Sequence, residues 1–352
     1  MPTANSPRRK GGALLAVLWM SAALAAIGFS VATTIRSETD HASTAADGLR
    51  AQFLATGSVE RAIQWMTWGD VPRTPQAPFW DPSMARLYMN YPSGDAVVEL
   101  IPEASRLNIN EASPDDLMRV VQTISGDAEL AQQITAAIVD WRSGAAGGGM
   151  GSTPNSALDA YYFGLNSPGG PTFRARHASF EEIEELLFVR GVTPELFYGN
   201  YISDAQGRLY PRGGLRDCLS VYGSPGPFDA NAASPALLEA MGLDPQKVDE
   251  LMRRRSVQPL RPADLQEMGI LNPRISIGGL SFMWTLRATA RLRRADGSPS
   301  DVVRSASAVV KRWTTPRYAS APVHVLRFYE DAWSEFAVRP TANPGSIAGV
   351  PQ

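Results

Sequence analysis

Gly11 to Ile35 is a stretch of twenty-five residues without a charged side chain, and it follows directly on Arg8, Arg9 and Lys10. Within it Ala13 to Ala32 is apolar and long enough to cross a bilayer as a helix, which takes about 20 residues. The segment is therefore expected to enter a membrane. No comparable basic cluster follows it, so the N-terminus is expected in the cytoplasm and the bulk of the chain on the other side. An ordinary secretory signal peptide opens in the same way, but its apolar core runs about 7–15 residues and stops at a small-residue cleavage site. Here the helix-compatible pattern continues. No proline occurs from Ala13 to Thr67, and the first break is Pro72. Leu49, Phe53, Val59, Ile63 and Met66 recur near spacings of three, four and seven, which predicts an apolar stripe on an otherwise polar stalk. One helix of some fifty-five residues would be about 80 Å long. Its alanine face at Ala22, Ala25, Ala26 and Ala32 permits close helix approach in lipid.

The chain has 352 residues, room for two folded modules besides such an anchor. A formal net charge of −2 gives no electrostatic reason to expect nucleic acid or a broadly acidic partner. Cys218 is the single cysteine, so no intramolecular disulfide can form. His41, His177 and His324 lie far apart and fall in no metal-ligand spacing. No Gly-x-Ser-x-Gly elbow or phosphate-binding loop is present, and the acids read as helix caps and solvated faces. No catalytic residue and no cofactor is expected.

Beyond the stalk the pattern changes period. Val97–Ile101 reads as a strand. In Trp284–Arg293, Trp284, Leu286, Ala288, Ala290 and Leu292 share one face, and Thr285, Arg287, Thr289, Arg291 and Arg293 share the other, solvated and basic one. Asp296-Gly297 supplies a turn, and Val302–Trp313 returns as the partner strand. Between these strands, Leu107 to about Gly279 reads as a run of short helices. Ser113-Pro114-Asp115-Asp116 carries a cap, a proline for the first helical position and acids for the first turn. Ser179 to Glu182 repeats that logic, and Thr193-Pro194 and Ser234-Pro235 start further helices. A repeat is visible: Leu107–Leu117 matches Phe228–Leu238 at Asn110/Asn231, Ala112/Ala233, Ser113/Ser234, Pro114/Pro235 and Leu117/Leu238. Two helical units entered through the same asparagine turn are expected. Val323–Leu326 could add a strand, and disorder is expected past Pro340.

The string RRKGGALLAVLWM resembles the leader of type IV pilin-like proteins, in which a dedicated prepilin peptidase cuts after a glycine on the cytoplasmic side. The resemblance places the cut after Gly11, exposing Gly12 as a methylated terminus, with the Gly12–Ala13 bond as the alternative. Arg8, Arg9 and Lys10 supply the leader charge. That family usually has glutamate at the fifth mature position; here it is Ala16, or Val17 under the other cut. In this departure, in the stalk from Ala51 to Ala62, and in Leu107–Ser113, Ile138–Arg142, Phe180–Leu187 and the Asn231 copy, the chain resembles the K-class minor pseudopilins of type II secretion systems over roughly residues 8 to 313.

The resemblance implies an α+β protein with a long transmembrane and stalk helix, a pilin-like antiparallel sheet, and a large inserted all-α domain with helix-hairpin-helix-like repeats. It divides the chain into a leader (1–11), a membrane and stalk helix (12–70), a β framework (71–106 and 280–313), a helical insert (107–279) and a C-terminal extension, partly disordered (314–352). It implies a subunit at the tip of a pseudopilus in the inner membrane. Its partners would be other minor pseudopilins, the prepilin peptidase and secreted proteins, with no nucleic acid. Some family members bind Ca2+ in the insert. Here the stretch Ser143–Gly151 is glycine-rich and the remaining acids are Asp140 and Asp159, whereas a calcium ion takes six to eight oxygens. A tip protein of a related pilus or competence system fits the same residues. A helix-hairpin-helix DNA-binding role is the reading from a different class. Against it, residues 106–204 hold thirteen acids and six arginines, a net of −7, where a phosphate footprint needs a basic patch.

Overall fold

A computed structural model describes residues 12–69, 72–74, 77–82, 84–143, 161–162, 175–203, 207, 209–278, 281–313 and 322–332. The leader residues Arg8, Arg9, Lys10 and Gly11, the acid Asp159 and the tail past Pro340 lie outside them. Helix α1, Gly12–Trp68, is continuous, as the absence of proline allows. It ends where Gly69 turns to a φ of 60° and donates its N–H to the Trp65 carbonyl at 3.2 Å.

Five antiparallel strands form the main sheet: β1 (Arg86–Tyr91), β2 (Gly94–Pro102), β3 (Met283–Arg293), β4 (Pro299–Arg312) and β5 (Val323–Tyr329). They lie in the order β5-β4-β3-β2-β1. The sheet is thus a plain meander, opened once, between β2 and β3, to admit the insert. Its fifth strand comes from the stretch assigned to the C-terminal extension; β5 pairs from Arg312↔Val323 to Ser307↔Tyr329.

The second half of α1 lies on this sheet by part of the stripe read from sequence, Val59, Met66 and the half-buried Ile63, together with small residues that carry no such signal. Its buried face is Gly48, Ala51, Ala55, Ser58, Val59, Ala62, Trp65 and Met66. Leu49 and Phe53 point away, 61% and 73% exposed. The reason is steric. The sheet presents Ala288, Ala290, Ala306 and Ala308, and small residues on both sides let helix and sheet approach closely. Trp65, Met66, Trp80 and Trp284 then fill the wider end, where the indoles of Trp80 and Trp284 meet edge to face at 5.9 Å.

The other sheet face is less wet and less free than its arginines implied. Arg287 reaches Glu99 at 2.7 Å and Arg293 reaches Asp95 at 2.7 Å. Glu99 lies directly across the ladder from Arg287, the geometry in which opposite charges assist strand pairing. Thr289 and Ser305 on this face are buried.

The described residues between 107 and 278 form a second hydrophobic core around Leu107, Ile109, Leu117, Ile134, Ile138, Phe197, Leu237 and Leu251. Helices α2 (Pro114–Ser125) and α3 (Ala128–Arg142) open it, and α4 (Pro235–Ala240) and α5 (Pro245–Val257) repeat the pattern. The insert also carries strand pairings the helical reading lacked. Leu107–Asn108 pairs parallel with Leu219–Ser220, and Phe228–Asp229 pairs parallel with Ile275–Ser276. Each closes one unit back onto its own beginning. Asn200–Ser203 and Leu209–Arg212 form an antiparallel pair. At Ser179–Glu182 the expected cap is misplaced: the turn that follows is 3-10 helix, Ile183–Phe188, and the Glu185 carboxylate accepts from the N–H groups of Glu181 and Glu182.

Candidate membrane anchor and assembly surfaces

Gly12 is the first residue of α1, and Ala16 sits one turn in, on an exposed surface. Leu14, Leu15, Val17, Leu18, Trp19, Leu24, Ile27, Phe29 and Ile35 are all more than half exposed. Among the described residues nothing packs on this end of α1, and it is long and apolar enough to cross a membrane. Ser21, Thr33 and Thr34 return their hydroxyls to helix carbonyls at 2.8–3.0 Å, so these polar side chains bring no orphan donor into an apolar surround. The outward row continues past the span: Leu49, Phe53 and Trp68 stay exposed, beside a groove of about 960 Å³ walled by Trp65, Phe79 and Tyr91. Phe79 contacts Trp68 edge to face at 4.9 Å. Helix α1 therefore has one face for its own sheet and, at Leu49 and Phe53, one that stays exposed among the described residues.

The insert leaves and re-enters the sheet at one end. Pro102, the last residue of β2, is the register partner of Trp284 at the start of β3. Arg312, which closes β4 at that end, lies beside Gly69, while Arg304, farther back, lies against Gly48. The insert thus springs from the end of the sheet away from the apolar span, about 50 Å further along α1 than Ile35 at 1.5 Å per residue. A single buried carboxylate ties the junction. Glu103 accepts from Arg106 at 3.2 Å, from the Thr285 hydroxyl at 2.5 Å and from the Ser220 hydroxyl, so it joins the exit, β3 and the first unit.

The repeat read from sequence is a repeat of hydrogen bonds. In the first unit the Asn110 side chain exchanges two bonds with the Phe180 backbone, at 3.0 and 2.8 Å. In the second Asn231 does the same with Leu260, at 3.1 and 2.8 Å. Arg142, from the end of α3, donates to the carbonyls of Ile109 and Ala112, both at 2.6 Å. Arg255, from α5, donates to those of Ala230 and Ala233, at 2.9 and 2.7 Å. Burial pulls the Arg255 guanidinium down to about 10, and Asp229 opposes the fall. It remains a cation at neutral pH. The match of Arg142 with Arg255 is not legible in the sequence, because their distances from the matched asparagines differ; the shared carbonyls reveal it. Cys218 is buried in this core, its thiol pushed up to about 12 by burial, and has no nucleophilic character.

The turns at 124–127 and 190–193, where a helix-hairpin-helix reading would place phosphate contacts, are capped by the protein's own side chains. Asp127 caps α3, accepting from Glu129 and Leu130 at 2.9 and 3.1 Å, and Thr193 accepts from Leu196 at 3.3 Å. A carboxylate thus sits where an anion would bind. Asp140 lies near the end of α3, its carbonyl 3.2 Å from His177 Nδ1. Among the described residues no group of three or more His, Cys, Asp or Glu side chains gathers as a metal site.

Fold and surfaces define a class of protein: an α+β chain carried on one long helix, apolar at its start and sheet-packed at its end, with a second module at the far end of the sheet. No family model matches the sequence. No curated protein matches it either. Among solved structures it is similar to a chain of the GspK-GspI-GspJ complex from the enterotoxigenic Escherichia coli type 2 secretion system, at 14% identity and a TM-score of 0.45, covering 85% of this chain and 99% of that one.

Proposed function

We propose that this chain is a minor pseudopilin of the K class, anchored once in the inner membrane with its soluble part in the periplasm, and placed at the tip of a type II secretion pseudopilus. The observation that carries the reading is the continuity of α1, which is an exposed apolar span at one end and the spine of an antiparallel sheet at the other. The basic leader and glycine pair then supply the processing signal, with cleavage after Gly11. The exposed row of Leu49 and Phe53, continued by the partly exposed Trp68, is the face offered to the stalks of other minor pseudopilins. The insert, mounted beyond the sheet, is too bulky to repeat along a tightly packed shaft, which favours the tip. Ala16 agrees: a subunit with none above it has no terminal amine to meet, and a lone carboxylate in lipid is costly. The division into leader, stalk, β framework, insert and extension belongs to this proposal, and so does a non-catalytic role in export.

Mass spectrometry of the mature N-terminus tests it. Coexpression with a prepilin peptidase is expected to remove eleven residues, or twelve under the Gly12 cut. A terminus beyond Ile27 would sink the proposal. Ala16→Glu is expected to impair secretion, since insertion of an acid at a helix centre costs about 2.5–3.5 kcal/mol.

A further inference from the structure

Between the insert and the face of the sheet turned away from α1 lies a cleft of about 640 Å³. Thr285, Arg287 and Ser307 belong to its floor, and Ile183, Tyr198 and Val221 of the first unit to its roof. It has the size of a ligand pocket, about 300–1,000 Å³. The chain itself delivers a segment to it. Asp331 and Ala332, which come just after β5, also line the cleft, and the Ala332 N–H donates to the Ser305 carbonyl at 2.9 Å. Beyond Ala332, outside the described residues, the sequence continues with Trp333, Ser334, Glu335, Phe336, Ala337 and Val338. Six residues, extended, reach about 20 Å, so this segment needs no further linker to enter.

Composition sets the segment apart. Three large apolar side chains fall within its six residues, whereas proline, glycine and small residues dominate from Pro340 onward. Such side chains gain by leaving water, and the half-buried Ile183 and Val221 and the Tyr198 ring offer them an apolar lining. Charge matches as well. Three guanidiniums gather in the cleft, those of Arg106, Arg216 and Arg287. Arg106 is paired with Glu103 and Arg287 with Glu99, and Arg216 stacks over the Tyr198 ring at 5.0 Å. Burial first, and then the nearness of Arg287 and Arg106, holds the Arg216 guanidinium below its ordinary value, although Asp217 works against the fall. A carboxylate entering here relieves that repulsion. Between Trp333 and Gln352 the sequence holds one acidic side chain, Glu335. The acids that also line the cleft are engaged or outward: Glu181 meets Arg176, Glu182 meets Arg327, Asp217 accepts from the Gly214 N–H at 2.9 Å, and Glu184 is exposed.

We infer that residues 333–338 of this chain occupy the cleft as a wedge between insert and sheet, with Trp333 and Phe336 against its apolar lining and Glu335 toward Arg216 and Arg287. The insert is then fastened twice, by Glu103 at its root and by the segment after β5 on its open flank. This inference stands apart from the anchoring reading, because it uses neither the processing site nor α1.

The test uses the full chain in detergent and the rate at which a maleimide labels a cysteine placed after β5; Cys218 is buried and does not compete. Ala337→Cys is expected to react at least about tenfold more slowly than Ser346→Cys, because labelling slows with the fraction of time the segment is undocked. Adding Glu335→Lys to Ala337→Cys is expected to bring its rate to within about twofold of the Ser346→Cys rate. Tyr198→Glu, at a side chain 40% exposed, is expected to do the same, since it sets a carboxylate of the insert beside Arg216 in place of the one in the segment. Equal rates for Ala337→Cys and Ser346→Cys overturn the inference. Protection that survives both added substitutions also overturns it, since the segment is then held elsewhere. Protection that fades on dilution does so too, by making the segment of a second copy the occupant.

Discussion

Asn231 and Arg255 each satisfy two backbone groups that would otherwise be stranded between helices, so their side chains substitute for secondary structure that the short connections cannot form. Replacing Asn231 by alanine strands the N–H of Leu260, a buried residue. The expected cost is about 1–3 kcal/mol, read from the midpoint of urea unfolding. Asp116 is expected to make the insert sensitive to acid. Burial pushes its carboxyl up, but hydrogen bonds from Arg119, Arg274 and Ser113 outweigh that and hold it below the ordinary carboxylate range. Because Arg274 belongs to the second unit and reaches Asp116 at 3.1 Å, the pair also holds the two units together. A lowered folded value means stability that is complete above the unfolded value near 3.8 and is lost as pH falls below it. Wild type is therefore expected to exceed Asp116→Asn by a constant margin at neutral pH, and the margin should shrink below about pH 4. A margin independent of pH down to acid unfolding would contradict this. At this scale the sequence was legible where chemistry is local: the caps Ser113 and Ser234 accept from Asp116 and Leu237 as their spacing predicted. The clamp arginines were not, since their partners lie 22 to 33 residues away.

Helix α1 shows what periodicity can and cannot reveal. Its length and its unbroken run follow from the missing prolines, and Val59, Ile63 and Met66 of its apolar stripe pack on the sheet, but Leu49 and Phe53 do not, because nearer the span the sheet-facing positions are the small residues Gly48, Ala51 and Ala55. Alanine carries little periodic signal; its meaning here comes from the alanines opposite, in β3 and β4, which lie more than 200 residues away along the chain. The two faces are separable by mutation. Ala55→Leu forces a larger side chain between helix and sheet and is expected to cost about 1–3 kcal/mol. Phe53→Ala, on the outward face, is expected to change stability by no more than about 0.5 kcal/mol, while reducing cross-linking to partner stalks in membranes. Similar losses of stability in both would mean that the outward row belongs to the fold rather than to assembly. The strands were read more reliably, since alternation in Trp284–Leu292 matched the burial of that face. The surprise on their other face came from partners, Glu99 and Asp95, that only the register brings opposite the arginines.

The molecule as a whole is a meander with a second module let into one turn. Because Pro102 and Trp284 are register partners, a short turn could replace the insert without moving β2 or β3. The two cores share no buried residue. A chain in which a turn replaces residues 107–278 is therefore expected to keep the α1–sheet core, with a cooperative thermal transition of its own; loss of all cooperative unfolding would show that the insert is part of that core. The same placement fixes how the protein carries load. A pull on the insert, against an anchor at the start of α1, enters the sheet at the adjoining ends of β2 and β3 and runs along the strands. The ladders that join β2 to β1 and β3 to β4 are then loaded lengthwise, so their hydrogen bonds share the force and must fail together. A pull across the strands would instead part them one at a time. A single-molecule pull from Gly12 to the insert is therefore expected to meet more resistance than one directed across the sheet.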